Sequence, residues 1–315
     1  MTDERQRLAE RRAALEGRAR VLRAVRAWFD QQGFLCVETP ARVPAPGQEV
    51  HLDAFAAGGG RYLVTSPEYH MKRLLGAGYE RIVQIGKAWR AGEAGPHHQP
   101  EFLIAEWYRA GAPLSAIADD CEALMRAAGW TEPAPFERTT VREVMRRHAG
   151  LDLAGDETVA ALADKARAAG VDVAGRATWD DVFFQVWLDR VEPRIGRERP
   201  SFVFDWPAPL GALARRKAED PRLVERFELY AGGLELANAF GELTDPDEQR
   251  ARFAAESATR AHLGKVVYPP DERLLAALPH IGAASGVALG LDRLVMLILG
   301  ASDIRDVIAF ADDEV

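Results

Sequence analysis

The sequence predicts an α+β fold, an antiparallel sheet flanked by helices. Three observations carry this. Apolar runs of strand length recur at 34–40, 61–64, 82–90, 102–109, 201–205, 227–231, 234–240 and 286–290. Most successive strands are joined by turns and loops. The helical patterns come in blocks, the largest over 113–196.

Residues 4–32 place Leu15, Ala19, Leu22, Val25 and Phe29 at steps of three and four, a helical stripe that Gly33 ends. The strand 34–40 is stopped by Pro40. Ser66 is an N-cap for a helix at 67–75, with Pro67 in its first position. A polar Gly/Pro/His loop, 91–100, joins the strands at 82–90 and 102–109. Helices follow at 116–128, 141–148, 157–169 and 180–191. Gly232-Gly233 reads as a tight hairpin turn between the strands at 227–231 and 234–240. Asp245-Pro246 starts a helix over 247–263. A glycine-rich strand, 286–290, runs into an apolar helix at 292–299. The whole chain, 1–315, reads as one domain with the block 113–196 inserted.

Hydrophobic content of 48% and charged content of 28% are those of a globular protein. Cys36 and Cys121 lack zinc spacing and suit a reducing compartment. No signal core opens the sequence. The longest apolar run, 294–299, falls short of the roughly 20 residues that span a membrane. A cytoplasmic protein without membrane contact is expected. The net charge of −8 weighs against an extended nucleic-acid surface and is compatible with a basic protein partner.

Four segments carry candidate chemistry. Arg90 stands at a strand end before a glycine-containing loop with His97 and His98, a place from which an arginine clamps phosphate or carboxylate; a polar hairpin is the alternative. Glu235, Asn238 and Glu242 lie on a strand among small residues; if it is regular, Glu235, Ala237 and Ala239 share a face. Such glutamates hold Mg²⁺ or an ammonium, or else sit solvated on an edge. Arg293 opens an apolar helix, against the helix dipole, and needs an anionic partner. That partner is a ligand phosphate, Asp292 or Asp303. Finally, Glu68 follows Ser66-Pro67 in a first helical turn.

In this order the segments resemble the class II aminoacyl-tRNA synthetases. Thr39-Pro40 is similar to motif 1, Arg90 through Glu106-Trp107-Tyr108 to motif 2, and Gly286 to Arg293 to motif 3. The lysyl branch is most similar, through Thr65-Ser66-Pro67-Glu68-Tyr69-His70-Met71-Lys72, Pro100-Glu101-Phe102, Glu235-Leu236-Ala237-Asn238 and Glu242-Leu243-Thr244-Asp245. The resemblance spans about Arg18 to Phe310. It implies the class II catalytic core, with ATP as substrate and Mg²⁺ as cofactor.

Lysyl-tRNA synthetases carry an anticodon-binding domain of about a hundred residues before motif 1. Here motif 1 begins within the first forty residues, so that domain is not expected. Ala288 stands where lysyl-tRNA synthetases usually have Gly. Both features resemble a truncated branch that attaches lysine or (R)-β-lysine to a lysine of elongation factor P. A tRNA-charging enzyme and an inactive regulatory paralogue are the alternatives.

The resemblance implies the roles. Arg90 bridges the ATP α-phosphate and the substrate carboxylate, and Arg293 holds the γ-phosphate. Glu235 and Glu242 bind Mg²⁺-ATP and substrate. Glu242 with Tyr108 recognises the side-chain ammonium, Glu68 the other amine, and Ser66-Pro67 positions it. Ala288 narrows the pocket. Glu93, His98, Gln99, Phe102, Leu236, Asn238 and Gly290 belong to the ATP site, with Phe102 stacking on adenine. Gly92, Gln99, Leu103 and Ala239 depart from the usual motif residues, and Glu93 stands in for an acid at position 92. The family implies a homodimer.

Overall fold

The computed structural model describes residues 4–315 and divides the chain into two compact units. One runs to Thr131 and resumes over Thr244–Val315; the other is Glu132–Leu243.

The first unit opens with α1 (Glu4–Glu10) and α2 (Arg12–Gln31). The helix expected over 4–32 is therefore interrupted, by a turn at Arg11. The inward face of α2 is Gly17, Val21, Val25, Trp28 and Phe29, whereas Ala19 is exposed and Leu15 and Leu22 are half-buried. Phe29 meets Trp107 edge-on at 5.2 Å, and a Cβ on Gly17 would come within 2.8 Å of Leu299. The apolar stripe is thus used inside the unit.

Next come β1 (Leu35–Cys36), β2 (Arg42–Val43), β3 (Tyr62–Leu63), α3 (Glu68–Gly76), β4 (Arg81–Trp89), β5 (Glu101–Ala110) and α4 (Leu114–Ala128). β4 and β5 pair antiparallel without a break, from Arg81↔Arg109 to Trp89↔Glu101. β1 lies parallel to β4 and is only two residues long. The strand expected over 34–40 is shorter: Val37 N–H still bonds to Val83 O, but Thr39 donates its N–H to the Gln84 side chain, not to the backbone ladder.

The second unit holds β6 (Glu137–Thr140), α5 (Val141–Ala149), α6 (Val159–Ala168), α7 (Trp179–Val186), β7 (Ser201–Pro207), β8 (Leu223–Ala231) and β9 (Leu234–Gly241), with strand order β9-β8-β7-β6. β6 lies within the stretch read as helical and pairs parallel with β7. Gly232 and Gly233 take φ of 60° and 79°, the turn geometry expected of them. Phe183 stacks between Trp179 and Trp187, at 5.4 and 5.6 Å, in the core beneath this sheet.

The chain then returns to the first unit with α8 (Pro246–His262), α9 (Glu272–Ala277), β10 (Ala284–Gly290) and α10 (Leu291–Leu299). Asp245 caps α8 by accepting from the N–H groups of Asp247 and Glu248. β10 pairs antiparallel with β5, which completes the order β1-β4-β5-β10. The fold is α+β; within the two units the pairs β4–β5, β5–β10, β7–β8 and β8–β9 are antiparallel, and β1–β4 and β6–β7 are parallel. No helix among the described residues is long and apolar enough to cross a membrane.

Candidate active site

The register of β4, β5 and β10 builds a floor. Ile104, Glu106 and Tyr108 lie opposite Gly290, Ala288 and Gly286 on β10, and opposite Gly86, Gln84 and Ile82 on β4. Directly opposed residues share a sheet face. Three glycines and one alanine therefore leave open space around the β5 side chains. Ala288 adds the one methyl on its row of β10, directly opposite Glu106.

Glu106 is buried and held from two sides. Ser66 Oγ donates to its Oε2 at 2.5 Å, and Tyr108 Oη donates to its Oε1 at 2.6 Å. Ser66 also accepts the Glu68 N–H at 3.2 Å, so Ser66 works at the start of α3 and in the site at once. Lys72, itself buried, donates to Glu68 at 2.6 Å. Ser66, Pro67, Glu68 and Tyr108, expected as substrate residues, are thus gathered around a carboxylate that was read only as part of a motif.

Burial, with Glu68 second, pushes the Glu106 carboxyl up to about 8 against the contrary pull of its hydroxyl donors and Lys72. A raised carboxyl keeps a proton in the folded chain that the unfolded chain releases. Stability therefore falls as pH rises from the unfolded value near 4.5 towards 8. Glu106→Gln removes this loss. Its thermal melting point should exceed that of the parent by more at pH 8 than at pH 5; an equal offset at both would contradict the assignment.

Arg90 directly follows β4. Its N–H bonds to Pro100 O at 2.8 Å, and Ala91 N–H bonds to Asp53 O at 2.7 Å, which fixes the strand end. The guanidinium lies 5.1 Å from the Phe102 ring centroid and 4.0 Å from Glu93. Gly92 takes φ +82°, a conformation that would strain an acid at this position. Arg293 donates from Nε to His97 O at 3.1 Å and meets the His98 ring. Burial first, then Arg293, His97 and Arg90, lowers His98 to about 4 and keeps it neutral at neutral pH.

The acids beside Arg293 are engaged elsewhere. Asp292 pairs with Arg18 at 2.6 Å and accepts the Leu103 N–H, while Asp303 pairs with Arg305. The Gln99 amide donates to His98 O, and its oxygen accepts the Asp312 N–H, so this side chain anchors the loop. Gly290 ends β10 immediately before α10.

In the second unit, β9 is not regular. Leu229 pairs with Ala237 but Tyr230 with Glu235, so Leu236 is an extra, buried residue. This corrects the expectation that Glu235 shares a face with Ala237 and Ala239. The bulge instead puts Glu235 and Asn238 on one face with Arg226, Glu228, Tyr230 and Phe240. Arg226 donates to Asn238 at 3.1 Å and to Glu228, and Tyr230 donates to Glu228. Burial and then Glu235 push the Glu228 carboxyl up to about 8. Glu242 is buried just past β9, bridged to Ala214. Glu228 escaped the sequence reading, and Glu106 entered it only as part of a motif. Their common signal is Glu-x-Tyr on a strand, a spacing that puts carboxyl and phenol on one face.

A sheet floored by small residues, carrying Arg90 at one strand end and Arg293 on the helix after the glycine-rich strand, defines a class II synthetase core. The chain belongs to that family: the class II tRNA synthetases (D, K and N) match residues 5–314. Within it, the chain is 43% identical over 314 residues to the elongation factor P–(R)-β-lysine ligase of Erwinia tasmaniensis, covering 96% of this chain and 95% of that protein. The ligases of the same name from Pectobacterium carotovorum and Vibrio cholerae are 42% and 41% identical. They cover 95% and 94% of this chain, and 95% and 94% of their own lengths.

Proposed function

We propose that this enzyme activates lysine or (R)-β-lysine with ATP and transfers it to a lysine of elongation factor P. The observation that carries the reading is a cluster of two carboxylates with hydroxyl partners: buried Glu106 on β5, held by Ser66 and Tyr108, and half-buried Glu68 at the start of α3, in the same unit as Arg90. An amino acid with a second ammonium complements such a site.

In the first step the substrate carboxylate attacks the α-phosphorus of ATP, and pyrophosphate leaves. Arg90 holds both anions and stabilises the charge that accumulates between them. Arg293 takes the γ-phosphate, with His98 beside it as a neutral donor or acceptor. In the second step the ε-amine of the acceptor lysine attacks the acyl carbonyl, an amide forms, and AMP leaves. Tyr108 receives the side-chain ammonium and Glu68 the other amine. On the family resemblance alone, Glu242 is assigned to the side-chain ammonium, Glu93, Leu236 and Asn238 to the nucleotide, and the assembly to a homodimer.

Mg²⁺ fits the second unit. Glu228 and Glu235 are two carboxylates on one face, and Glu235 disfavours the charge of Glu228. Oxygen donors of this kind would hold Mg²⁺, which neutralises phosphate charge when bound. Glu228 thus joins Glu235 as the proposed metal pair, and Glu242 is assigned to the metal on the family resemblance alone.

Amino-acid-dependent exchange of pyrophosphate into ATP tests the first step. Exchange is expected with the lysine isomers and not with aspartate or asparagine; exchange driven by either of the latter would overturn the reading. Ala288→Gly should shift kcat/KM towards α-lysine over (R)-β-lysine by about tenfold, the worth of a methyl in a fitted pocket. Measuring both isomers on both proteins checks this.

A further inference from the structure

We infer that Glu49 is a specificity-determining residue that receives the substrate amine nearest the carboxylate, alongside Glu68. The inference rests on the activation of a lysine isomer proposed above. Of the acids that Ser66 links, Glu68 is engaged by Lys72, and Glu106 by Ser66 and Tyr108. Glu49 differs: its Oε2 is buried and has no hydrogen-bond partner among the described residues. A Cβ added at Gly47 would meet this oxygen at 2.6 Å and Thr65 Oγ1 at 3.0 Å. The carboxyl therefore folds back over Gly47 towards the segment that leads into Ser66.

The Glu49 backbone is fixed. Its carbonyl accepts from Arg260 at 2.8 Å, and the next N–H donates to Glu256 at 2.9 Å. Gln48 is tied to Pro269 O and Ser257. Glu49 is acted on by both Glu68 and Arg90, and burial raises its proton affinity. A buried carboxylate oxygen left without a donor beside a second carboxylate is costly until a cation arrives. Arg90 takes the substrate carboxylate, so the group that reaches Glu49 is the amine one or two carbons away. A phosphate would be repelled.

Pyrophosphate exchange on the full chain and on Glu49→Gln tests this, with ε-aminocaproate as competitor. That compound keeps the carboxylate and terminal ammonium of lysine and lacks the intervening amine. The variant should raise KM for the lysine isomers about tenfold or more, as expected for a lost charge-assisted contact. KM for ATP and the inhibition constant for ε-aminocaproate should stay near the parent values. An unchanged lysine KM, or equal weakening of all three, would overturn the inference. Glu49→Asp carries the same comparison if the amide variant does not fold. Absence of exchange in the parent with every lysine isomer would sink the functional reading itself. In that case equilibrium binding of lysine against ε-aminocaproate, by parent and variant, still decides the role of Glu49.

Discussion

Arg90→Ala is expected to lower the rate of adenylate formation by about a thousandfold or more, the loss seen when a charged transition-state donor is removed. Negative charge accumulates where the carboxylate and the α-phosphate meet, and the proposed mechanism sets this guanidinium across both. Arg90→Lys should not restore the rate, because a single ammonium replaces a planar fork that also stacks on Phe102. The fold should survive, since the side-chain contacts of the guanidinium among the described residues are the Phe102 ring and a 4.0 Å approach to Glu93. Single-turnover formation of the adenylate, with a thermal melt of each variant, checks both halves. A variant that activates lysine at the parental rate would remove Arg90 from the chemistry.

The largest effect on stability is expected at Arg260. Its side chain is fully buried. It donates to the carbonyls of Glu49, Leu52 and Val266 and to Asp53, at 2.6 to 2.9 Å, and lies 4.5 Å from the Tyr268 ring centroid. Arg260→Met keeps much of the volume and removes every donor. Carbonyls and a carboxylate then lose their partner, a loss of about 3–5 kcal/mol. For a chain of this length that is a fall in melting temperature of about 5–8 °C. Lys265→Met, which also touches Asp53 but is partly solvated, should change stability by less than about 1 kcal/mol. Comparable shifts for the two variants would refute the role given to Arg260.

Much of the fold was legible because it is written locally. Asp245-Pro246 and Gly232-Gly233 carry their own backbone requirements, and the structure uses both as their residue types dictate. The β4–β5 pair follows from two apolar runs across a polar loop. β6 was hidden because Glu137–Thr140 is short and polar, and is made a strand by β7, a partner some sixty residues away. The bulge at Leu236 was equally invisible, since register belongs to two strands together. So Glu235 was read on the wrong face.

The site divides in the same way. Arg90, Glu68, Tyr108 and Arg293 sit in segments whose order carries the family pattern. Glu106 and Glu228 are ordinary glutamates in the text and become unusual only through burial. Arg260 reads as one more charge on a polar helix. Its function in the fold comes from a loop about two hundred residues earlier that closes over it.

The acceptor is the centre of the account. Purified elongation factor P, incubated with this enzyme, ATP and (R)-β-lysine or lysine, should gain the mass of one lysyl group on a single lysine side chain. Intact-protein and peptide mass spectrometry read this directly. The same mixture with lysine tRNA in place of the protein should leave the tRNA uncharged. Unmodified elongation factor P together with charged tRNA would contradict the account.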